Sequence, residues 1–356
     1  MTPSVSAYSV IHAVTRALYA ELFPEPTWQS LIQAPDYDAV LGLLSKSNYA
    51  PYLEVSRSLL TPRRAVYQIR QHLAYVYTKL IHLAPSSSGQ VLESLWHHYE
   101  VDNIKAALRG YQAGASWDQV LHLLYPMGRH TVADVDHLSR IVQADDIEQA
   151  VEALRGTPYH QILLHALTRY HEEQSLFPLE VALDLGYRRS LWESILGLRG
   201  LDRKMAQRTI GTVLDTDNLL WAIRYRVYHH LSEEEIINYT LPMGYEITDH
   251  DIRTIARGGR IADVVFGVYP ELADELQDVT MDTGGGLRQL ERALLQLALS
   301  RCRKAFAGYP FHIGIPLGYV WLNEHEIRDL TIIIEAKAAG TSLETFLPML
   351  VMTRLV

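Results

Sequence analysis

A single cysteine, Cys302, stands in 356 residues, which excludes an internal disulfide and suits a reducing compartment. No apolar run reaches the roughly 18 residues that a membrane-spanning helix needs. The nearest candidate, Phe311 to Leu322, is broken by His312, Gly314 and Pro316. The opening Met1-Thr-Pro-Ser lacks the basic-then-apolar layout of a secretory signal. There is no long basic block, and 32 basic residues face 41 acidic ones for a net charge of −9, so nucleic acid is not an expected partner. The chain is therefore expected to be soluble, with no span of its own and any membrane attachment made through another protein.

The motifs of common chemistries are missing as well. No Gly-x-x-x-x-Gly-Lys-Ser/Thr loop is present to cradle nucleotide phosphates, and no His-Glu-x-x-His to hold zinc. No Gly-x-Ser-x-Gly elbow presents a nucleophile. The 16 histidines are not spaced as ligands: His97-His98 and His229-His230 are adjacent, so each pair points to different faces of a helix, and His160, His165 and His171 are five and six apart. Asp282-Thr283-Gly284 spells an aspartic-protease triplet, but that chemistry needs two such loops in an all-β fold. The glycine run 284–286 reads instead as a loose connection before a helix. Cys302 lies in a helical pattern, without a charged partner pattern that argues for a thiolate. No catalytic, cofactor or metal residue is assigned, and no cofactor is expected.

What is present reads as helix almost throughout. Leu59 to His82 places Leu60, Val66, Ile69, Leu73, Val76 and Leu80 at helical spacing, and Leu287 to Phe306 does the same with Leu290, Leu294, Leu297 and Cys302. With 48% hydrophobic residues the chain can bury a sizeable core. The predicted class is all-α.

The most informative feature is a threefold echo. Glu100-Val-Asp102-Asn103-Ile104 is followed by Leu108-Arg109. Asp215-Thr-Asp217-Asn218-Leu219 is followed by Ile223-Arg224, and 217 − 102 = 115. A looser copy, Glu326-Ile-Arg328-Asp329-Leu330, is followed by Ile334-Glu335, and 328 − 217 = 111. Tyr49, Tyr159 and Tyr269 keep the same beat, each 110 apart. Ser116, Ser232 and Ser342 each open a segment running into Pro126-Met127, Pro242-Met243 or Pro348-Met349. Ser116-x-x-Gln119 and Ser232-x-x-Glu235 fit the helix capping box, with Thr341-x-x-Glu344 offered in the third copy. The period exceeds that of solenoid repeats and matches a small domain. It predicts three related helical segments, roughly 1–127, 128–243 and 244–356.

The Asp-Asn strings sit inside predicted helices, with Ile104, Ala107 and Leu108, and Leu219, Ala222 and Ile223, on apolar faces. Seven residues separate Asp102 from Arg109, about 10 Å along a helix, too far for a direct bond. Each is expected to reach a neighbouring helix. In the third copy the signs reverse to Arg328 and Glu335. The nine repeat residues Asp102, Asn103, Arg109, Asp217, Asn218, Arg224, Arg328, Asp329 and Glu335 are thus assigned to a structural polar network. If these groups are buried and paired, Asn218→Leu or Arg224→Ala costs a few kcal/mol.

Three stretches carry a resemblance: Tyr99 to Arg109, Asp215 to Arg226 continuing through Leu231-Ser-Glu-Glu-Glu235, and Pro310-Phe-His-Ile-Gly314 through Glu326-Ile-Arg-Asp-Leu330. They resemble the C subunit of the prokaryotic A/V-type rotary ATPases, the counterpart of the eukaryotic V-ATPase d subunit. The likeness extends over most of the chain and is weakest in the first hundred residues. It implies three helical lobes about a pseudo-threefold axis, forming a funnel. It also implies a non-catalytic, peripheral subunit on the cytoplasmic face of the membrane. The implied partners are the central-stalk subunits and the membrane proteolipid rotor ring, so that ATP hydrolysis or synthesis is coupled to proton or sodium transport. From the residues alone, a stand-alone helical scaffold and a metal-dependent helical enzyme stay open.

Overall fold

The computed structural model describes residues 5–56, 59–128, 130–242 and 244–353. Met1-Thr-Pro-Ser and Met243 of the second Pro-Met pair lie outside the described residues. Among the described residues the chain is helical, with no β-strand, so the all-α class holds. None of the described helices is long and apolar enough to cross a membrane.

The chain divides into two compact units. One holds Arg188–Gly318 with the residues up to Ser9; the other holds Val10–Tyr187 with the residues from Tyr319 onward. The expected boundaries at 127/128 and 243/244 fall inside these units.

In the second unit, the helix Pro62–Leu83 starts on Thr61, whose hydroxyl accepts the Arg64 N–H at 3.3 Å, with Pro62 in the first turn. It buries Ala65, Val66, Ile69, Leu73, Val76 and Leu80 on one stripe and stops before Pro85. That stripe packs on the helix Ser86–Gln112. The latter is buried on more than one face: Val91, Leu92, Leu95, Trp96, Val101, Ile104, Ala107 and Leu108 are all sequestered. A helix with so little polar margin is central, and any acid it carries inward needs bonded donors. Gly110 marks its closest contact, since a Cβ there would sit 2.4 Å from Val120 Cγ2.

In the first unit, Gly200–Ala206 and Thr212–Val227 form one helix interrupted by a π turn, Gln207–Gly211. Thr209 and Thr212 turn their hydroxyls back to Met205 O (2.9 Å) and Arg208 O (3.1 Å) across this turn. Thr212–Val227 packs on the helices Asp249–Ala256 and Gly284–Lys304.

Two expectations change. Thr341 and Glu344 do not form the third capping box. Ser342 takes the N-cap position of Leu343–Phe346, and its hydroxyl meets Thr345 Oγ1 at 2.8 Å instead of a backbone N–H. The glycines 284–286 are not a loose connection either. They form the first turn of Gly284–Lys304, capped by Thr283, which accepts the Gly286 N–H at 3.1 Å. A Cβ on Gly286 would lie 2.0 Å from Thr280 O, whereas none of the surroundings comes within 4 Å of one on Gly285.

This contrast is testable by thermal denaturation. Gly285→Ala is expected to stabilise by about 0.5–1 kcal/mol, the usual helical gain. Gly286→Ala is expected to destabilise by more than that gain, since backbone must move. Equal behaviour of the two would contradict this packing.

Candidate functional site

Glu100, Asp215 and Glu326 open the three echoed strings, and each has no measurable solvent exposure. A carboxylate in such a place is costly unless donors surround it. Each lies on a long helix, namely Ser86–Gln112, Thr212–Val227 or Gly314–Ala338, and each is met in the same way.

Glu100 Oε1 accepts the backbone N–H groups of Val132 and Ala133, both at 2.5 Å, while Oε2 accepts the Tyr159 hydroxyl at 2.5 Å. Asp215 accepts Tyr245 N–H (2.7 Å), Glu246 N–H (2.6 Å) and Ile247 N–H (3.2 Å), with the Tyr269 hydroxyl at 3.5 Å. Aspartate is one methylene shorter, so its tyrosine stands farther off and a third backbone donor takes part. Glu326 accepts Phe23 N–H at 2.6 Å and the Tyr49 hydroxyl at 2.9 Å. The landmark tyrosines Tyr49, Tyr159 and Tyr269 are therefore the phenols that close three equivalent clamps.

The backbone donors occupy one structural position. Ala133, Ile247 and Phe23 each immediately precede a helix N-cap: Asp134, Thr248 and Pro24. Each clamp thus pins the backbone that leads into a following helix, by an N–H one residue ahead of the N-cap and outside the helix's own ladder. Gly244 shows how tight the second is, because a Cβ there would sit 2.1 Å from Asp215 Oδ1. Burial pushes Asp215 up to about 6 and Glu326 up to about 7, against the pull of their donors.

Asn103, Asn218 and Asp329 form a second series. The Asn103 amide donates to Tyr125 O (3.0 Å) and accepts Tyr125 N–H (2.7 Å). Asn218 treats Leu241 identically, at 3.0 and 2.7 Å. An amide carries both a donating NH2 and an accepting oxygen, so it can bond both groups of one residue's backbone; a carboxylate offers acceptors only. Asp329 accordingly takes two N–H groups, Val351 and Met352, both at 2.7 Å. The held segments lie 125 − 103 = 22, 241 − 218 = 23 and 351 − 329 = 22 residues on.

The outer charges are less uniform. Arg109 grips Glu180 of the helix Phe177–Gly197 through two bonds, 2.6 and 2.8 Å. Arg224 reaches Glu291 of Gly284–Lys304 at 2.6 Å. Asp217 meets Arg188 at 2.8 Å, whose guanidinium also lies 3.9 Å from the centre of the Trp221 ring. Asp102 pairs within its own helix, with Lys105 at 2.9 Å, and Lys105 in turn reaches Asp184 at 2.8 Å. Arg328 meets its neighbour Asp329 at 3.2 Å, and Glu335 is exposed. Arg109, Asp217 and Arg224 thus reach neighbouring helices, while Asp102 and Arg328 also bond within their own.

Near the third clamp, on the same helix, lies Glu324, which accepts the hydroxyls of Tyr77 and Tyr99. Burial pushes it up to about 7. Phenols can accept as well as donate, so a protonated Glu324 keeps its bonds. Sequence reasoning passed over Glu100, Asp215, Glu324 and Glu326, though the first, second and fourth keep the repeat spacing.

The fold and these clamps describe a helical protein whose repeated polar groups are committed to holding backbone. The chain belongs to the ATP synthase (C/AC39) subunit family, which it matches over residues 11–346. It is similar to the A-type ATP synthase C subunit of Methanocaldococcus jannaschii, 27% identical over 342 residues, covering 95% of this chain and 84% of that one. The protein of the same name from Methanosphaera stadtmanae is 23% identical over 344 residues, covering 94% and 85%. That of Methanosarcina acetivorans is 24% identical over 343 residues, covering 93% and 89%.

Two outcomes follow for stability. Asn218→Leu is expected to cost about 2–3 kcal/mol by chemical denaturation, because it strands the buried backbone of Leu241. Arg224→Ala is expected to cost under about 1 kcal/mol, since Arg224 and Glu291 are 37% and 42% exposed. This is smaller than sequence spacing suggested.

For Glu324, the folded state binds a proton that the unfolded chain has released above its ordinary value of 4.5. Its contribution to stability is thus present at acid pH and is lost as pH rises toward about 7. Glu324→Gln is expected to make the decline of Tm between about pH 5 and 7.5 shallower. An unchanged slope would mean that Glu324 does not titrate there.

Proposed function

We propose that this chain is the non-catalytic adaptor of a V/A-type ATPase, joining the central stalk to the membrane proteolipid ring. It thereby couples ATP hydrolysis or synthesis to proton or sodium transport, as a peripheral subunit on the cytoplasmic face. The observation that carries this reading is the family match across residues 11–346, with relatives that align over more than nine-tenths of the chain. The repeat strings supply the mechanical support. A coupler must pass torque between partners without yielding, and helices locked at their entries by buried hydrogen bonds resist slippage. The three segments 1–127, 128–243 and 244–356 are proposed as related lobes. Their repeated acids are occupied by backbone donors, which leaves them no catalytic task. Partners are joined by docking surfaces and not by insertion, because no described helix is able to span a bilayer.

Reconstitution into vesicles with stalk and ring, with and without this chain, is the test. Without it, ATPase activity in the soluble head is expected to persist while ATP-driven ion transport is lost. Undiminished transport in its absence would overturn the adaptor role and favour a scaffold with another partner.

A further inference from the structure

We propose that one tip of this chain binds the surface of an anionic phospholipid membrane directly, through a cationic patch with an aromatic pair beside it. This goes beyond the adaptor role and concerns the isolated chain, so its test does not depend on that role.

Two stretches meet at the tip. One is the start of the helix Gly200–Ala206 with its π turn; the other is the end of the helix Gly284–Lys304 with the loop that follows it. Asp202 accepts the Ile313 N–H at 2.9 Å, and a Cβ on Gly314 would lie 2.9 Å from Met205 Cβ. The loop is thus seated on the helix, and both belong to the same compact unit. Arg199, Arg203, Lys204, Arg208, Arg303 and Lys304 are all exposed on these two stretches. Residues 199–208 contain one acid, Asp202, which is committed to Ile313, and residues 301–313 contain none. In a chain of net charge −9 this is a local reversal of sign.

The fold does not account for these cations. Arg301 is taken up by Glu246 and Glu271, and Arg203 donates to Leu196 O. Arg199, Lys204, Arg208 and Lys304 have no ion pair among the described residues. A helix dipole explains Lys304, in the last turn of its helix. It does not explain Arg199, which stands at an N-cap where a cation is disfavoured, nor Lys204 and Arg208, which lie far from the C-terminal end at Val227. Long cationic side chains left unengaged at one tip are complementary to a diffuse anionic surface.

The aromatic pair selects which surface. Tyr309 and Phe311 flank Pro310 and stand edge-on to each other at 5.6 Å, with Tyr309 43% exposed. A tyrosine is favoured at the headgroup level of a bilayer, where its ring is in apolar surroundings and its hydroxyl is wet. Cations beside it meet lipid phosphates, each strengthening attachment about fivefold. Flexible, unanchored lysine and arginine side chains suit a fluid surface whose charges move to meet them. Attachment is to the surface, since no described helix is able to span a bilayer.

Co-sedimentation of the full chain with vesicles tests this. At low salt the chain is expected to bind vesicles of phosphatidylcholine mixed with phosphatidylglycerol, not phosphatidylcholine alone, and to be released as salt rises. Arg199→Gln/Lys204→Gln/Lys304→Gln is expected to weaken binding about a hundredfold. Lys46→Gln/Arg63→Gln/Arg64→Gln removes the same charge from exposed positions in the other unit and is expected to leave binding within about twofold. Tyr309→Ala is expected to weaken it about tenfold with the salt dependence unchanged. Equal binding to neutral and anionic vesicles, or equal loss in both triple variants, overturns the proposal. A parent that ignores these vesicles but is retained by polyglutamate meets an acidic protein instead, and overturns it too. If the first triple variant fails to fold, Tyr309→Ala and Lys304→Gln alone decide, the latter expected to bind about fivefold more weakly; unchanged binding by both refutes the proposal.

Discussion

The repeated architecture of this protein turns on one interaction: a carboxylate sealed inside the fold that accepts backbone N–H groups just ahead of the next helix. The segments that lead into a helix carry backbone donors outside any ladder, and a buried acid needs donors around it. Each problem is the other's solution. Glu100, Asp215 and Glu326 satisfy their charge with backbone already present, and Val132–Ala133, Tyr245–Ile247 and Phe23 are thereby fixed in position. The tyrosine hydroxyl fills the remaining acceptor site and ties in a second short helix. The asparagine series does the same for the segment that follows each central helix.

This division of labour gives the acids a structural task. Removing a carboxylate from water is tolerable only with hydrogen-bond donors around it: three N–H groups for Asp215, two for Glu100 and one for Glu326, each with a tyrosine hydroxyl. The outer arginine–glutamate pairs contribute little by comparison. They are partly exposed, and exposed pairs are weak. Their steady spacing reflects which helices neighbour one another more than what holds them together.

Much of this was legible in the sequence. Helical periodicity gave the all-α class, and the capping boxes at Ser116 and Ser232 form as their spacing predicts. The threefold beat located both the tyrosines and the carboxylate strings. What it could not do was pair them, because the partner of each acid belongs to the next copy, and for Glu326 to the other end of the chain. The Asp-Asn spelling points to Asp102 and its echoes, the positions whose sign flips to Arg328. The better guide is the position that never flips. Glu100, Asp215 and Glu326 are acidic in all three copies, as a site filled by backbone donors demands, whereas a sign reversal is tolerated where solvent shares the charge. The triple glycine misleads for a related reason: Gly286 is small to clear Thr280 O, not to be flexible.

The central claim is that these acids lock helix entries. Amide hydrogen exchange of the intact chain tests it most directly. The N–H groups of Ala133, Ile247 and Phe23 precede helices and lie at positions that ordinarily exchange early through end fraying. Bound to buried carboxylates, they are expected to exchange as slowly as amides in the middle of Ser86–Gln112. Exchange at the rate of open helix ends, in any of the three, would contradict the account.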